Sequence, residues 1–361
     1  MTFWRRALTA CALGSALLGL AGCWTAASPD TPSPHFDPDR LAQRQFLAMG
    51  TSVSITVYRR ADQTPHQADA ALDDAEQYLR EFGRDWWAWG DGALGAINRD
   101  LATGRRAQIP ARMRPLFDRA RDIHRLTGGL FEPRIGSLVR LWGFDDVARL
   151  RDTPPDEAAI AAAVQALHAA PDYDGSGYYG PASDITWDFG AIAKGYCVDQ
   201  TLERLRAEGF GDALVDAGGN LAVRGHKGDR PWKIAIRHPR AEAGIPLLAT
   251  LESSNEAVNT HGDYERHIDF QGRRYGHILD PTTGYPADSL ISVTVVGADG
   301  TEADGAGAAL FVAGATAWQA LARQLGLSQV LVVDHEGRAI ATAALARRLT
   351  PAAGVHLQIV P

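Results

Sequence analysis

Cysteine is nearly missing from this sequence: three in 361 residues, at positions 11, 23 and 197. Positive charge is also in short supply. Lys and Arg total 36 against 43 Asp and Glu, for a net charge of −7, and no polybasic run occurs. A chain of this balance does not bind nucleic acid through its phosphates. Long apolar runs are absent apart from the N-terminus, where "ALTACALGSALLGLAG" is too short for a membrane span. Glycine-rich nucleotide fingerprints are missing too. The loop that most resembles one, "DFGAIAKGY" (188–196), fits neither G-x-G-x-x-G nor G-x-x-x-x-G-K-[ST], so a Rossmann domain or a P-loop is not expected. No internal repeat and no clear linker interrupt residues 41–361. What remains is ordinary: 45% hydrophobic and 22% charged residues, the texture of a globular domain with a well-filled core.

The start of the chain reads as a targeting segment. Arg5 and Arg6 precede the apolar run, which ends in "LAGC" (20–23), a stretch that resembles the lipobox of bacterial lipoproteins. The expectation is a signal peptide over 1–22, a lipid on Cys23, and a Pro/Ser-rich tether over 23–44. The tether, "WTAASPDTPSPHFDPDR", has polyproline character. Two or three acyl chains on one cysteine anchor a protein firmly. The chain is then expected in the bacterial cell envelope, lipid-anchored and facing the periplasm. On this reading Cys197 is the one other cysteine of the mature chain, no internal disulfide forms, and a buried apolar role suits it.

Residues 45–361 read as one α+β body of mostly antiparallel sheets with packed helices. "GTSVSITVY" alternates as a strand. Residues 68–82, 113–129 and 153–170 have helical spacing, the last with Pro and acidic residues at its start. Beyond 185, short strands and glycine turns dominate, broken by helices near 193–208 and 301–325.

Three clusters concentrate the chemistry. In the first, "DITWDFG" alternates as a strand that stops at Asp188, and Lys194 falls in the first turn of the next helix. Free N–H groups and the helix dipole favour an anion there; close helix packing alone would explain the small residues as well. In the second, "HILDPTTGYP", His277 and Asp280 precede a proline turn. Imidazole suits proton transfer at neutral pH, although a strand histidine is commonly structural. In the third, Asp304 opens a helix of tiny residues, where a carboxylate caps the helix or meets a hard cation.

With "AMGT" (48–51), "DAGGN" (216–220), "WKIAIRHP", "GDYER" (262–266) and "SVTVV", these clusters run in the order found in the ApbE family. The sequence resembles FAD:protein FMN transferases over nearly all of 46–340. The resemblance implies an enzyme that binds FAD with Mg²⁺, cleaves the pyrophosphate and passes FMN to a Thr or Ser hydroxyl of an exported, FMN-accepting redox protein. AMP leaves. It also assigns roles. Met49, Trp89, Asp188, Lys194 and Leu279 match cofactor-contacting positions, and Leu130, Phe131 and Glu132 stand where the family has Ala-Phe-Asp. The Ala191 carbonyl and Asp304 match metal ligands. His277 becomes the candidate base for the acceptor hydroxyl. Two further departures stand out: Ala308 replaces the usual Thr ligand of the metal, and His261, in "THG", stands where the family has a Ser. Hydrolysis of FAD to FMN and AMP, or FAD binding without turnover, are the alternative outcomes on the same fold.

Overall fold

The structure, a computed structural model, describes residues 36–240 and 247–361. The signal segment, Cys23 and most of the expected tether lie outside them. In chain order the first strands are β1 (Leu41–Ala48), β2 (Thr51–Tyr58), β3 (Ala107–Gln108), β4 (Tyr178–Tyr179), β5 (Ala213–Ala217), β6 (Asn220–Arg224), β7 (Trp232–Arg237) and β8 (Leu247–Ser253). They are followed by β9 (Glu256–Gly262), β10 (His267–Phe270), β11 (Arg273–Gly276), β12 (Leu290–Gly297), β13 (Val330–Asp334), β14 (Ala339–Thr342), β15 (Leu349–Pro351) and β16 (Leu357–Val360). The helices are α1 (Pro65–Asp85), α2 (Ala93–Ala102), α3 (Arg114–Leu126), α4 (Gly136–Trp142), α5 (Glu157–Ala169), α6 (Ala193–Ala207), α7 (Gly300–Gln324) and α8 (Ala343–Ala346).

Among the described residues the main sheet runs β1-β2-β5-β6-β9-β12-β13-β14-β16. Its pairings are antiparallel except β14 with β16. The alternation of "SVSITVY" does the work expected of it. Val53, Ile55 and Val57 enter one core with Leu72, Leu79 and Phe82 of α1 and Val198 and Leu202 of α6. The opposite face packs a second core, in which Ile291, Val296, Leu331 and Val333 meet Trp232, Ile234 and Ile236 of the small sheet β15-β8-β7. β12 is therefore buried on both faces, its apolar residues interrupted by buried Ser292 and Thr294.

The two long C-terminal elements explain each other. α7 is long and apolar enough to cross a membrane by composition alone, yet it packs on β9, β12 and α6 as a core helix. Its glycines and alanines let α6 come close. A Cβ on Gly195 would lie 2.2 Å from the Gly300 carbonyl oxygen. α7 breaks once, at Gly314 (φ 75°, ψ −178°), where the Ser289 hydroxyl accepts the Ala315 N–H at 3.1 Å.

Three expectations shift. The folded body starts before residue 45, because Leu41–Arg44 pair with Ile55–Tyr58. Ahead of them, Asp37 donates its N–H to the Tyr58 hydroxyl at 3.1 Å. The segment "DITWDFG" is not a strand: it makes a single bridge, Thr186 with Ile135. Asn98 of α2 occupies both backbone groups of Trp187, and Pro133 accepts the Asp188 N–H, so no ladder continues. Asp304 does not open its helix. α7 begins at Gly300 and Asp304 sits a full turn inside it.

Candidate active site

The hairpin β1–β2 closes through the two-residue turn Met49-Gly50, both with positive φ (52° and 72°). A methionine accepts that conformation at some cost in strain, and its side chain is held against Gly83 of α1. Arg266 approaches the other half of the turn: a Cβ on Gly50 would stand 3.2 Å from its guanidinium Nη2. Phe144 accepts a hydrogen bond from the same guanidinium at 3.2 Å.

The loop 188–192 is fixed by Phe189, whose ring sits 4.6 Å from that of Phe117 and 4.9 Å from that of Trp86. Asp188 is half-buried and accepts the Gly190 N–H at 2.8 Å. Burial raises its carboxyl above the ordinary range, partly offset by that hydrogen bond and by the charges of Arg266 and Lys194.

α6 has no cap of its own, because Ile192 stands at its N-cap. Asp304 of α7 supplies one: its Oδ2 accepts the Gly195 N–H at 2.8 Å. The service is returned. Asp199 of α6 accepts the N–H groups of Gly300 and Thr301 at the start of α7, at 3.0 and 2.8 Å. The two helix starts are thus locked together by exchanged carboxylates. Each satisfies donors that a buried helix end leaves open.

With its N–H donors so used, the Ala191 carbonyl receives no hydrogen bond among the described residues. Lys194 places its Nζ 3.4 Å from the Gly190 carbonyl. With the Asn220 amide oxygen turned to Lys194 (3.1 Å), the amide nitrogen donates to Asp304 Oδ1 at 3.3 Å. His261 completes the ring around Asp304: its Nε2 lies 2.8 Å from the Asp304 carbonyl oxygen and 3.2 Å from Oδ1. Burial pushes the Asp304 carboxyl up, but the His261 hydrogen bond, the Lys194 charge and the Gly195 N–H together hold it below its ordinary range. A fully buried carboxylate kept anionic is poised for a cation.

His277 follows β11, its backbone N–H bound to the Arg266 carbonyl at 3.1 Å. Its Nδ1 is buried without a partner. Burial, then the charges of Arg266, Lys194 and His261, depress its pKa to about 3, so the imidazole is neutral at pH 7 and free to accept a proton. Asp280 is occupied in the proline turn, accepting from the Thr282 N–H and the Thr283 hydroxyl.

Not every expected contact joins this cluster. Leu279 is a core residue bridged to Pro286. Trp89 is partly exposed, with the Arg140 guanidinium 4.8 Å over one ring face. Leu130 is partly buried and Phe131 fully so. Glu132 is paired with Arg134, which takes both its carboxylate oxygens at 2.7 and 2.8 Å in a buried pair. Arg266 and Asn220 were missed as site residues, although both stand inside quoted motifs, "GDYER" and "DAGGN".

For a cation the donors are the Asp304 carboxylate and the free Ala191 carbonyl; Ala308 brings only a methyl. Among the described residues no group of three or more His, Cys, Asp or Glu is placed to hold a metal. An ion here would draw its remaining ligands from water and a bound anion, as Mg²⁺ does readily.

An antiparallel core that presents two fixed cations, a buried carboxylate and a neutral imidazole beside paired helix starts defines an anion-handling enzyme site on an α+β scaffold. The comparisons with known proteins give it a family. The ApbE family model matches residues 49–332, and the chain belongs to that family. An FAD:protein FMN transferase of Rhodobacter capsulatus is 32% identical over 96% of the chain, which spans 63% of that relative's length. A second, from Klebsiella pneumoniae, is 29% identical over 93% of each. The crystal structure of the ApbE protein of Thermotoga maritima superposes with a TM-score of 0.76 at 26% identity, covering 85% of this chain and 99% of the other. The chain is, with these relatives, an enzyme of the flavin-transferase kind.

Proposed function

We propose that this enzyme takes FMN from FAD and joins it to a Thr or Ser hydroxyl of a partner flavoprotein, releasing AMP. One observation carries the reading: Asp188 and Lys194 of one segment, with Arg266, His277 and Asp304 from three other stretches of sequence, share one electrostatic environment beside the start of α6. In the step itself the hydroxyl oxygen bonds to the FMN phosphorus, the phosphoanhydride bond breaks and AMP departs with the bridging oxygen. Positioning and charge neutralisation dominate such displacements. A divalent ion, Mg²⁺ in the first instance, held by Asp304 and the Ala191 carbonyl would neutralise charge on the paired phosphates.

The chain's own residues do the rest. Lys194, Arg266 and the start of α6 bind the phosphates and fix their line of attack. Neutral His277 takes the proton of the attacking hydroxyl. Its low pKa in the free protein reflects burial first and then the charges of Arg266 and Lys194, and a bound pyrophosphate would offset the charge part and strengthen the base. Met49, strained at its turn beside Arg266, flanks the place for the flavin.

The acceptor is an exported redox protein, reached from a lipid anchor at Cys23 on the periplasmic side of the envelope. Incubating the purified protein with FAD, Mg²⁺ and an FMN-accepting domain should add the mass of FMN less one water to that domain. AMP should appear in equal amount. AMP without acceptor labelling would make the enzyme an FAD pyrophosphatase. Intact FAD after prolonged incubation would leave only binding, the reading that Ala308 favours; Ala308→Thr would then be expected to restore turnover.

A further inference from the structure

α4 ends where two of the proposed site residues meet, and its sequence specifies the ending. In "LWGF" (141–144) Gly143 takes the left-handed conformation (φ 77°, ψ 19°). Its N–H bonds to the Arg140 carbonyl at 2.9 Å and the Phe144 N–H to the Val139 carbonyl at 3.0 Å, the paired bonds of a Schellman stop. That stop delivers buried Phe144 to both His277 and Arg266. The ring centroid lies 6.5 Å from that of the imidazole at 75°, an edge-to-face contact. The carbonyl accepts the Nη1 of Arg266 at 3.2 Å, and Nη2 is the atom that faces Gly50. Trp142 braces the chain on either side of His277: its ring stacks on Tyr275 at 5.5 Å, and its Nε1 donates to the Gly284 carbonyl at 2.8 Å. The other end of α4 is tied to the segment that carries Asp188. There the Gly136 N–H bonds to the Thr186 carbonyl at 2.9 Å and the Ser137 hydroxyl to the Asp184 carbonyl at 2.7 Å.

We propose that Phe144 is a positioning residue for the reaction, its ring fixing the His277 imidazole and its carbonyl fixing the Arg266 guanidinium. The roles of those two groups rest on the proposed function. An edge-to-face contact uses no lone pair of the imidazole, so the base is held without being occupied, and its Nδ1 remains unpartnered. A backbone carbonyl orients a cation without cancelling its charge, which leaves the guanidinium available to phosphate oxygens. α4 is thus a strut that sets the base and a phosphate-binding cation in register with each other and with the segment before Asp188.

Variants of the whole purified protein separate the ring from the carbonyl, with circular dichroism checking each fold. Phe144→Leu keeps the backbone acceptor and most of the apolar volume. Its kcat with FAD, Mg²⁺ and an acceptor domain should fall about 10–10²-fold, while the Kd for FAD, read from flavin fluorescence, stays within about threefold. Gly143→Val forces a β-branched residue into a left-handed turn and moves the carbonyl, so FAD should bind about tenfold more weakly. A readout free of turnover is the His277 ring signal in NMR titrations of Phe144→Ala. Arg266, Lys194 and His261 still face the imidazole there, and water admitted at the vacated ring should raise the midpoint from about 3 towards the ordinary value near 6.5. An unchanged kcat in Phe144→Leu, or an unmoved His277 midpoint in Phe144→Ala, overturns the role of the ring. An unchanged Kd in Gly143→Val overturns that of the carbonyl. Should the wild type fail to turn over FAD, the proposed function falls, and the Kd and the His277 midpoint still decide the positioning role.

Discussion

At the scale of single residues, His277 and Asp304 are opposite cases of burial. Both lie near Lys194 and His261; burial and then the nearby positive charge depress the imidazole, whereas for the carboxylate the His261 hydrogen bond and the positive charge outweigh burial. The kinetic consequence has a definite sign. The base works when neutral, so kcat/KM for FAD should fall as pH falls, with a limb far below the ordinary histidine value near 6.5. The limb in kcat should lie higher than that in kcat/KM, because bound phosphates raise the imidazole pKa. His277→Gln should remove the limb and lower kcat by about 10²–10⁴-fold. Stability follows the same shift. The unfolded chain protonates this histidine near 6.5 and the folded chain only at about 3, so the native state loses its advantage as pH drops through that window. Urea midpoints of wild type and His277→Gln should converge as pH falls through it.

At the scale of elements, α6 and α7 hold the site through exchanged caps and a contact that only glycine allows. Gly195→Ala would drive a methyl into the Gly300 carbonyl and within 2.7 Å of Asp304 Cβ, forcing the helices apart. A loss of about 1–3 kcal/mol is expected by urea denaturation, together with weaker FAD binding, since the same glycine N–H positions Asp304. Of the two readings of the small residues in "DFGAIAKGY", close packing is what Gly195 displays, and anion binding belongs to the proposed function. The regular elements were legible wherever their periodicity was clean: "SVSITVY", the amphipathic face of α1, the double-faced run of β12. α2 was not, because its "AINRDLA" is short and its decisive residue, Asn98, is a polar side chain buried to hold Trp187. The central strand β9, "EAVNTHG", hid for a similar reason. It buries Asn259 to fix the start of α7 and turns His261 to Asp304, so polar letters stand where a core strand usually shows apolar ones. The motifs gave Lys194, His277 and Asp304. They could not give Asn220 or Arg266 their roles, which come from chain crossings that spacing does not encode. The pairing of Glu132 with Arg134, two positions on, was likewise not legible from the motif.

At the scale of the whole molecule, both described cores are assembled from Ala42 onward, and the proposed anchor at Cys23 lies well ahead of them in sequence. The lipid-anchor proposal is thereby separable from catalysis. In cells, the full chain should fractionate with membranes and Cys23→Ala with the soluble envelope contents. Purified from either fraction, the protein should label an added acceptor domain at the same rate. Slower labelling in cells by the unanchored form would then report the reach of the tether rather than the chemistry.

The interruption at Gly314 divides α7 into a front rod that carries Asp304 and a rear rod that carries Trp318, with the Ser289 hydroxyl filling the joint. Exposed residues beyond the joint, such as Thr316 and Ala320, are where an attached fluorophore is expected to leave FAD binding unchanged.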